Sequence, residues 1–186
     1  MQPSTEQYEV LDEQGHKTGE ILDRATVHKR ELWHGVVNIW VMNPQGEILM
    51  QLRAPEVELS PNVWDVTVGT HLRPNEATID AAVRGLRTEL GLDFPPEEFQ
   101  HLFNIQCANP MPNGTTHKVL GHVYMVNKEV DLKTLQFDPK KITRFAWVKL
   151  DDLMIGVGGS ETKSQYFPRA NNYYPQLFEA FQAWMQ

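Results

Sequence analysis

The apolar positions of this chain fall in short blocks set apart by turn-forming residues, and most blocks have the length and composition of strands. Tyr8 to Leu11 and Glu20 to Leu22 flank the turn cluster Asp12-Glu13-Gln14-Gly15, which predicts a small N-terminal hairpin. Arg24 to Leu32 follows as a short helix. Gly35 to Met42 (GVVNIWVM) is almost continuously apolar, the pattern of a strand buried on both faces. Pro44-Gln45-Gly46 turns the chain, and Glu47 to Leu52 returns as the partner strand. Val63 to Gly69 (VWDVTVG) is a further strand with imperfect alternation. His101 to Cys107, Lys118 to Val126 and Thr143 to Val148 are later strands. Asp151 to Met154 reads as a short helix, Ile155 to Lys163 as a flexible loop, and Pro175 to Met185 as an amphipathic terminal helix with Pro175 in its first turn.

The clearest helix is Ile79 to Leu90. Ile79, Ala82, Val83, Leu86 and Leu90 fall at i, i+3, i+4, i+7 and i+11 and make one apolar stripe. Thr78 suits the N-cap, Asp80 the positive end of the helix dipole, and Gly91 a left-handed stop. Strands with one central and one terminal helix predict the α/β class, a mixed sheet between helices. With no repeat and no linker, residues 1–186 read as one domain. Residues 1–34 form its hairpin and short-helix extension, and residues 35–186 its core.

Composition narrows the function classes. Charged residues are 22% and hydrophobic ones 41% of 186, ordinary for a globular chain. The formal charge of −7 argues against a nucleic-acid partner, which needs a basic face. Cys107 is the only cysteine, so no internal disulfide and no cysteine zinc site is expected. The first ten residues have no signal-peptide pattern, and no apolar run reaches the roughly 18 to 20 residues needed to span a bilayer. The cytoplasm is the expected compartment, with no membrane partner; a homodimer is an allowed assembly. Asn113-Gly114-Thr115 reads as a turn rather than a glycosylation site.

Thr70 to Leu92 reads THLRPNEATIDAAVRGLRTELGL, and it resembles a Nudix box, the loop-helix-loop of Nudix hydrolases. The family pattern is Gly, five residues, Glu, seven residues, then Arg-Glu-apolar-x-Glu-Glu-x-Gly-apolar. Glu76, Arg84, Leu86, Glu89, Gly91 and Leu92 keep it. Three positions depart: the leading Gly is Thr70, the Glu after Arg84 is Gly85, and the first Glu of the pair is Thr88. The stretch from Tyr8 through Leu92 resembles more narrowly the subgroup related to type-1 isopentenyl-diphosphate isomerases, through VLDEQGHKTGE, His28, LWH ending at His34, VVNIWVMNPQGEILMQLR and NVWDVTVGTH.

The resemblance implies an α/β/α sandwich that binds an organic diphosphate and Mg²⁺ or Mn²⁺ beside the box helix. It implies Glu89, Glu76 and Arg84 as catalytic residues, with Arg84 paired to Glu76. Glu89, the Gly69 carbonyl and His71 become the metal-side groups. Arg53, Trp64, His71 and Lys118 are expected on the substrate. Gly85 supplies no ligand and costs helix stability of roughly 0.5 to 1 kcal/mol relative to Ala, so replacing it is expected to favour the helix.

Three readings follow: a metal-dependent diphosphate hydrolase of weak or narrow activity, a diphosphate-binding protein without catalysis, and an isomerase-like enzyme. The isomerases hold metal through histidines that His28, His34 and His71 resemble. Their catalytic Cys falls at Gly69 here, and their later Glu-x-Glu falls near Thr116-His117-Lys118, which argues against isomerisation.

Overall fold

The computed structural model describes residues 6–57, 59–111, 113–158, 165–169 and 172–185. Its strands are β1 (Gln7–Leu11), β2 (Lys17–Asp23), β3 (Trp33–Met42), β4 (Glu47–Arg53), β5 (Trp64–Asp65), β6 (Val68–His71), β7 (Phe99–Pro110), β8 (Thr116–Asn127) and β9 (Ile142–Lys149). Its helices are α1 (Arg24–Lys29), α2 (Thr78–Leu90), α3 (Leu150–Gly158) and α4 (Tyr173–Trp184).

Among the described residues all nine strands join one mixed sheet, and β3 is its spine. One edge of β3 pairs with the parallel strand β8 from His34 to Met42. The other edge meets three antiparallel strands in turn: β1 at Trp33 and His34, β6 from Val36 to Ile39, and β4 at Val41 and Met42. A strand flanked on both edges and covered on both faces has to be almost continuously apolar, which explains GVVNIWVM; its one polar residue, Asn38, is buried and accepts from Arg169. Val37, Ile39 and Val41 face α2 through Ala81, Ala82, Leu86 and Leu90. Trp40 and Met42 face the opposite layer, where Leu153 of α3 and Tyr173, Leu177 and Phe181 of α4 close the core. The helices therefore sandwich the sheet, as the α/β reading expects. No helix among the described residues is long and apolar enough to cross a membrane.

Several boundaries differ from the sequence reading for local reasons. Val63 to Gly69 is not one strand. Its polar break at Thr67 lies where β3 and β4 part, and the Thr67 hydroxyl donates to the Leu49 carbonyl while accepting from the Val41 N–H. The chain thereby leaves β4 as β5 and reaches β3 as β6. Thr78 is not the cap: Ala77 holds that position without a side-chain bond, and the Thr78 hydroxyl meets the Tyr124 hydroxyl at 2.6 Å. Ile155 to Gly158 continue α3 rather than opening a loop, and residues 159–163 of that expected loop lie outside the described residues. Gly91 ends α2 at φ 71°, in the left-handed conformation expected of it. Asn113 closes its turn by accepting from the Thr115 N–H and hydroxyl.

Candidate active site

The loop from β6 to α2 is held by one arginine. Arg84 Nε donates to Glu76 Oε1 at 2.6 Å, and Nη2 donates to Glu76 Oε2 at 2.8 Å and to the His71 carbonyl at 2.9 Å. Nη1 reaches the Thr70 hydroxyl at 3.3 Å, and Glu76 Oε2 also accepts from the Arg73 N–H. This is a two-pronged fork on a carboxylate, the strong form of the interaction. Burial pushes the Glu76 carboxyl up, but its bonds to Arg84 and Arg73 outweigh that and hold it below the ordinary value.

Beside this clamp lies a cleft of about 740 Å³. Glu89 and Arg84 reach it from α2, Gly69, Thr70 and His71 from β6, and Arg53 from β4. Arg24, Arg73 and Lys141 add three further cations. Among the described lining residues only Glu6 and Glu89 are acidic. In a chain of net charge −7 this concentration of cations marks a place for an anion. Burial pushes the Glu89 carboxyl up to about 7, with Lys141 and Arg84 pulling the other way. A second cavity, lined by Thr88, Gln136, Phe137 and Asp138, shares Glu89, Lys141 and Ile142 with the cleft.

Four histidines meet on the other side of His71. His28 of α1, His34 of β3, His71 of β6 and His117 of β8 each offer a ligand atom, all within 4.8 Å of one another. The ring of Tyr8 stacks on His71 at 4.6 Å and on His34 at 5.2 Å. Burial pushes the His34 imidazole down to about 4 and that of His117 to about 3, and His71 lies well below its ordinary value for the same reason. These three rings are neutral at pH 7.

The NUDIX domain profile matches residues 32–170, three quarters of the chain. The chain belongs to the Nudix family. It is similar to Nudix hydrolase 3 of Arabidopsis thaliana, 30% identical over 99 residues, which are 53% of this chain and 13% of that much longer protein. It is also similar to the isopentenyl-diphosphate Delta-isomerase of Pectobacterium atrosepticum, 27% identical over 145 residues, 77% of this chain and 76% of the relative. Among solved structures, DR0079 of Deinococcus radiodurans superposes with a TM-score of 0.66 at 22% identity, over 96% of this chain and 98% of its own. The Nudix domain of Shewanella oneidensis NrtR, solved with ADP ribose, superposes with a TM-score of 0.55 at 14% identity, over 81% and 87% of the two chains.

Within the Nudix frame the structure sorts the expected site residues. Glu89, Arg84, Gly69, His71 and Arg53 line the cleft; Glu76 braces it through Arg84. Arg53 is already engaged, with its Nη1 on Asp65 at 3.1 Å and its Nε and Nη2 on the carbonyls of Leu59 and Ser60. Trp64 and Lys118 do not line the cleft. Trp64 packs on the core beneath α3 and α4, with Arg144 over its ring at 5.2 Å, because β5 turns it to the α4 side of the sheet. Lys118 alternates with His117 along β8 and lies 6.0 Å over the Trp33 ring.

The packing around Gly85 works against the expectation attached to it. A Cβ there would lie 3.0 Å from Thr70 Cγ2, 3.3 Å from Ile39 Cδ1 and 3.4 Å from Val68 Cγ1. The glycine lets α2 lie close against β6, so adding a side chain crowds the interface instead of simply favouring the helix. Thr88 is exposed, and its hydroxyl donates to the Arg84 carbonyl at 2.8 Å. With two box carboxylates gone, Glu89 is the one carboxylate that α2 puts on the cleft. That donor set does not fit the cluster of hard cations for which the Nudix box is built, since Mg²⁺ needs several oxygen ligands.

Reasoning from sequence missed Lys141, Arg73 and Arg24 as cleft cations and Arg169 altogether. Arg169 bonds Asp65 and lies over the rings of Phe167 and Tyr173, 4.8 and 4.9 Å away. Arg73 lies in the box loop but at a position its pattern leaves open, and no local pattern marks Arg24, Lys141 or Arg169, which come from segments that only the fold brings together.

Proposed function

We propose that this Nudix protein binds an organic diphosphate in the cleft and hydrolyses it slowly or with narrow selectivity. The observation that carries this reading is the placement of Glu89 and Arg84 in one cleft with Arg24, Arg53, Arg73 and Lys141. Free cations from the chain, Lys141 and Arg73 foremost, offset the charge of the diphosphate. Arg84, spent on Glu76, holds the box loop against the end of β6 and so shapes the cleft floor. Glu89, which holds its proton up to about pH 7, is matched to accept a proton from an attacking water near neutral pH. Mg²⁺ or Mn²⁺ enters this reading only as the counter-ion of the diphosphate, with the oxygens of Glu89 and the Gly69 carbonyl as the protein groups on that side. ADP ribose, the ligand of the Shewanella domain, is a fitting first substrate to test.

A second reading, a diphosphate-binding protein without turnover, is favoured by Gly85 and Thr88, which leave Glu89 alone on the helix. Incubating the protein with ADP ribose and other organic diphosphates, with added Mg²⁺ or Mn²⁺, separates the two. Release of monophosphate products that is lost in Glu89→Gln supports the hydrolase. Saturable binding with no product supports the second reading, and neither binding nor product removes both.

A further inference from the structure

We propose that His28, His34, His71 and His117 form a four-imidazole site for a late divalent metal of the Zn²⁺ class, and not for Mg²⁺ or Mn²⁺. This site is distinct from the diphosphate cleft, although His71 borders both, and the proposal does not depend on hydrolysis.

The geometry comes first. The four ligand atoms lie within 4.8 Å of one another, on four elements that converge from different parts of the chain. A tetrahedral site with metal–nitrogen bonds of about 2.0 to 2.1 Å sets its nitrogens about 3.4 Å apart. Small ring rotations therefore close the set around one ion. Nδ1 of His34 lies 3.1 Å from the Leu32 carbonyl, and a carbonyl can only accept, so the ring proton sits on Nδ1. Nε2 then presents its lone pair, the arrangement by which a backbone acceptor fixes the tautomer of a metal-binding histidine. Nε2 of His34, of His71 and of His117 is buried and has no hydrogen-bond partner among the described residues. Buried nitrogens without partners at one point are costly unless something binds them. Tyr8, stacked on two of the rings, walls one side of the cluster.

The donor chemistry then selects the ion. Mg²⁺ prefers oxygen ligands and sheds water reluctantly. Imidazole nitrogens suit Zn²⁺ and its late first-row neighbours. The group of four contains no carboxylate. The resemblance to the isomerases accounts for three of the histidines only. His117 stands where that pattern has carboxylates, so the all-nitrogen set is a feature of this chain. Four protein ligands fill a tetrahedral sphere, which is the arrangement of structural rather than catalytic zinc. A bound ion would pin α1 and the hairpin to β6 and β8, and metal binding would then appear as folding stability.

The test uses the full chain without an affinity tag, stripped with a chelator. Zn²⁺, Co²⁺ and Mg²⁺ are titrated by calorimetry while the thermal midpoint and the visible spectrum are recorded. The expected result is one Zn²⁺ per chain, a higher midpoint with Zn²⁺ and none with Mg²⁺, and the intense visible bands of tetrahedral Co²⁺. His117→Gln should weaken Zn²⁺ binding at least about tenfold. A Zn²⁺ affinity unchanged in both His117→Gln and His34→Gln would overturn the proposal. So would a midpoint raised equally by Mg²⁺. If either variant fails to fold, the wild-type Co²⁺ spectrum decides: weak octahedral bands, or none, refute the site.

Discussion

Thr70 and Gly85 are complementary: a Cβ at Gly85 would lie 3.0 Å from Thr70 Cγ2, so the threonine methyl fills space that a side chain at 85 would need. These are two of the three positions at which the chain departs from the Nudix box. The pattern has glycine at the first and glutamate at the second; here the larger residue has moved to the strand and the glycine to the helix. Each departure fits the other, and together they remove a carboxylate without opening a gap between α2 and β6. Thr70 also keeps a polar role, because its hydroxyl accepts from Arg84.

Gly85→Ala should therefore not deliver the gain of roughly 0.5 to 1 kcal/mol that helix propensity alone would give. Crowding against Thr70 and Ile39 offsets it, leaving the variant neutral to about 1 kcal/mol less stable. Thr70→Ser removes the crowding methyl and retains the hydroxyl. In that background Gly85→Ala should become stabilising, with a coupling of about 0.5 kcal/mol or more in a denaturation double-mutant cycle. Additive effects would refute the complementarity.

Much of the frame was legible because local pattern and tertiary role agree. The β3 run is apolar on both faces and lies inside the sheet; the α2 stripe meets the sheet; Gly91 stops the helix. What was not legible depends on segments meeting. Val63 to Gly69 divides because Thr67 bridges β3 and β4, which no alternation score contains. Trp64, expected on the substrate, packs against the core instead, because β5 turns it to the α4 side. The His28, His34 and His71 likeness was visible, but His117 joins them only through the parallel pairing of β3 with β8, in which His34 faces Val119.

Arg84→Ala should lower stability by about 2 to 4 kcal/mol, toward the range for breaking a buried ion pair, since it strands Glu76 and the His71 carbonyl. Arg84→Lys keeps the charge but not the fork and should recover only part of the loss. Thermal midpoints with diphosphate titrations check this. An unchanged midpoint with lost diphosphate binding would assign Arg84 to the ligand instead.

Glu89 makes stability depend on pH. Its folded-state carboxyl is raised from 4.5 to about 7, so the neutral form is the one the fold tolerates. The contribution is full below about pH 4.5 and is lost as pH rises through about 7. In chelator, Glu89→Gln should thus gain on wild type between pH 5 and 8, by about 1 to 3 kcal/mol. Parallel stability curves for the two proteins would show that Glu89 is not held in a desolvated place.

The cleft is proposed to take an organic diphosphate, with Glu89 acting on it. Phosphorus NMR of ADP ribose with substoichiometric protein and Mg²⁺ tests it most directly, since one spectrum reports both binding and cleavage. The two diphosphate resonances should broaden with wild type and convert slowly to monophosphate resonances. With Glu89→Gln the broadening should remain while conversion stops. Conversion at the same rate in both proteins, or diphosphate resonances untouched by wild type across a series of organic diphosphates, would contradict it.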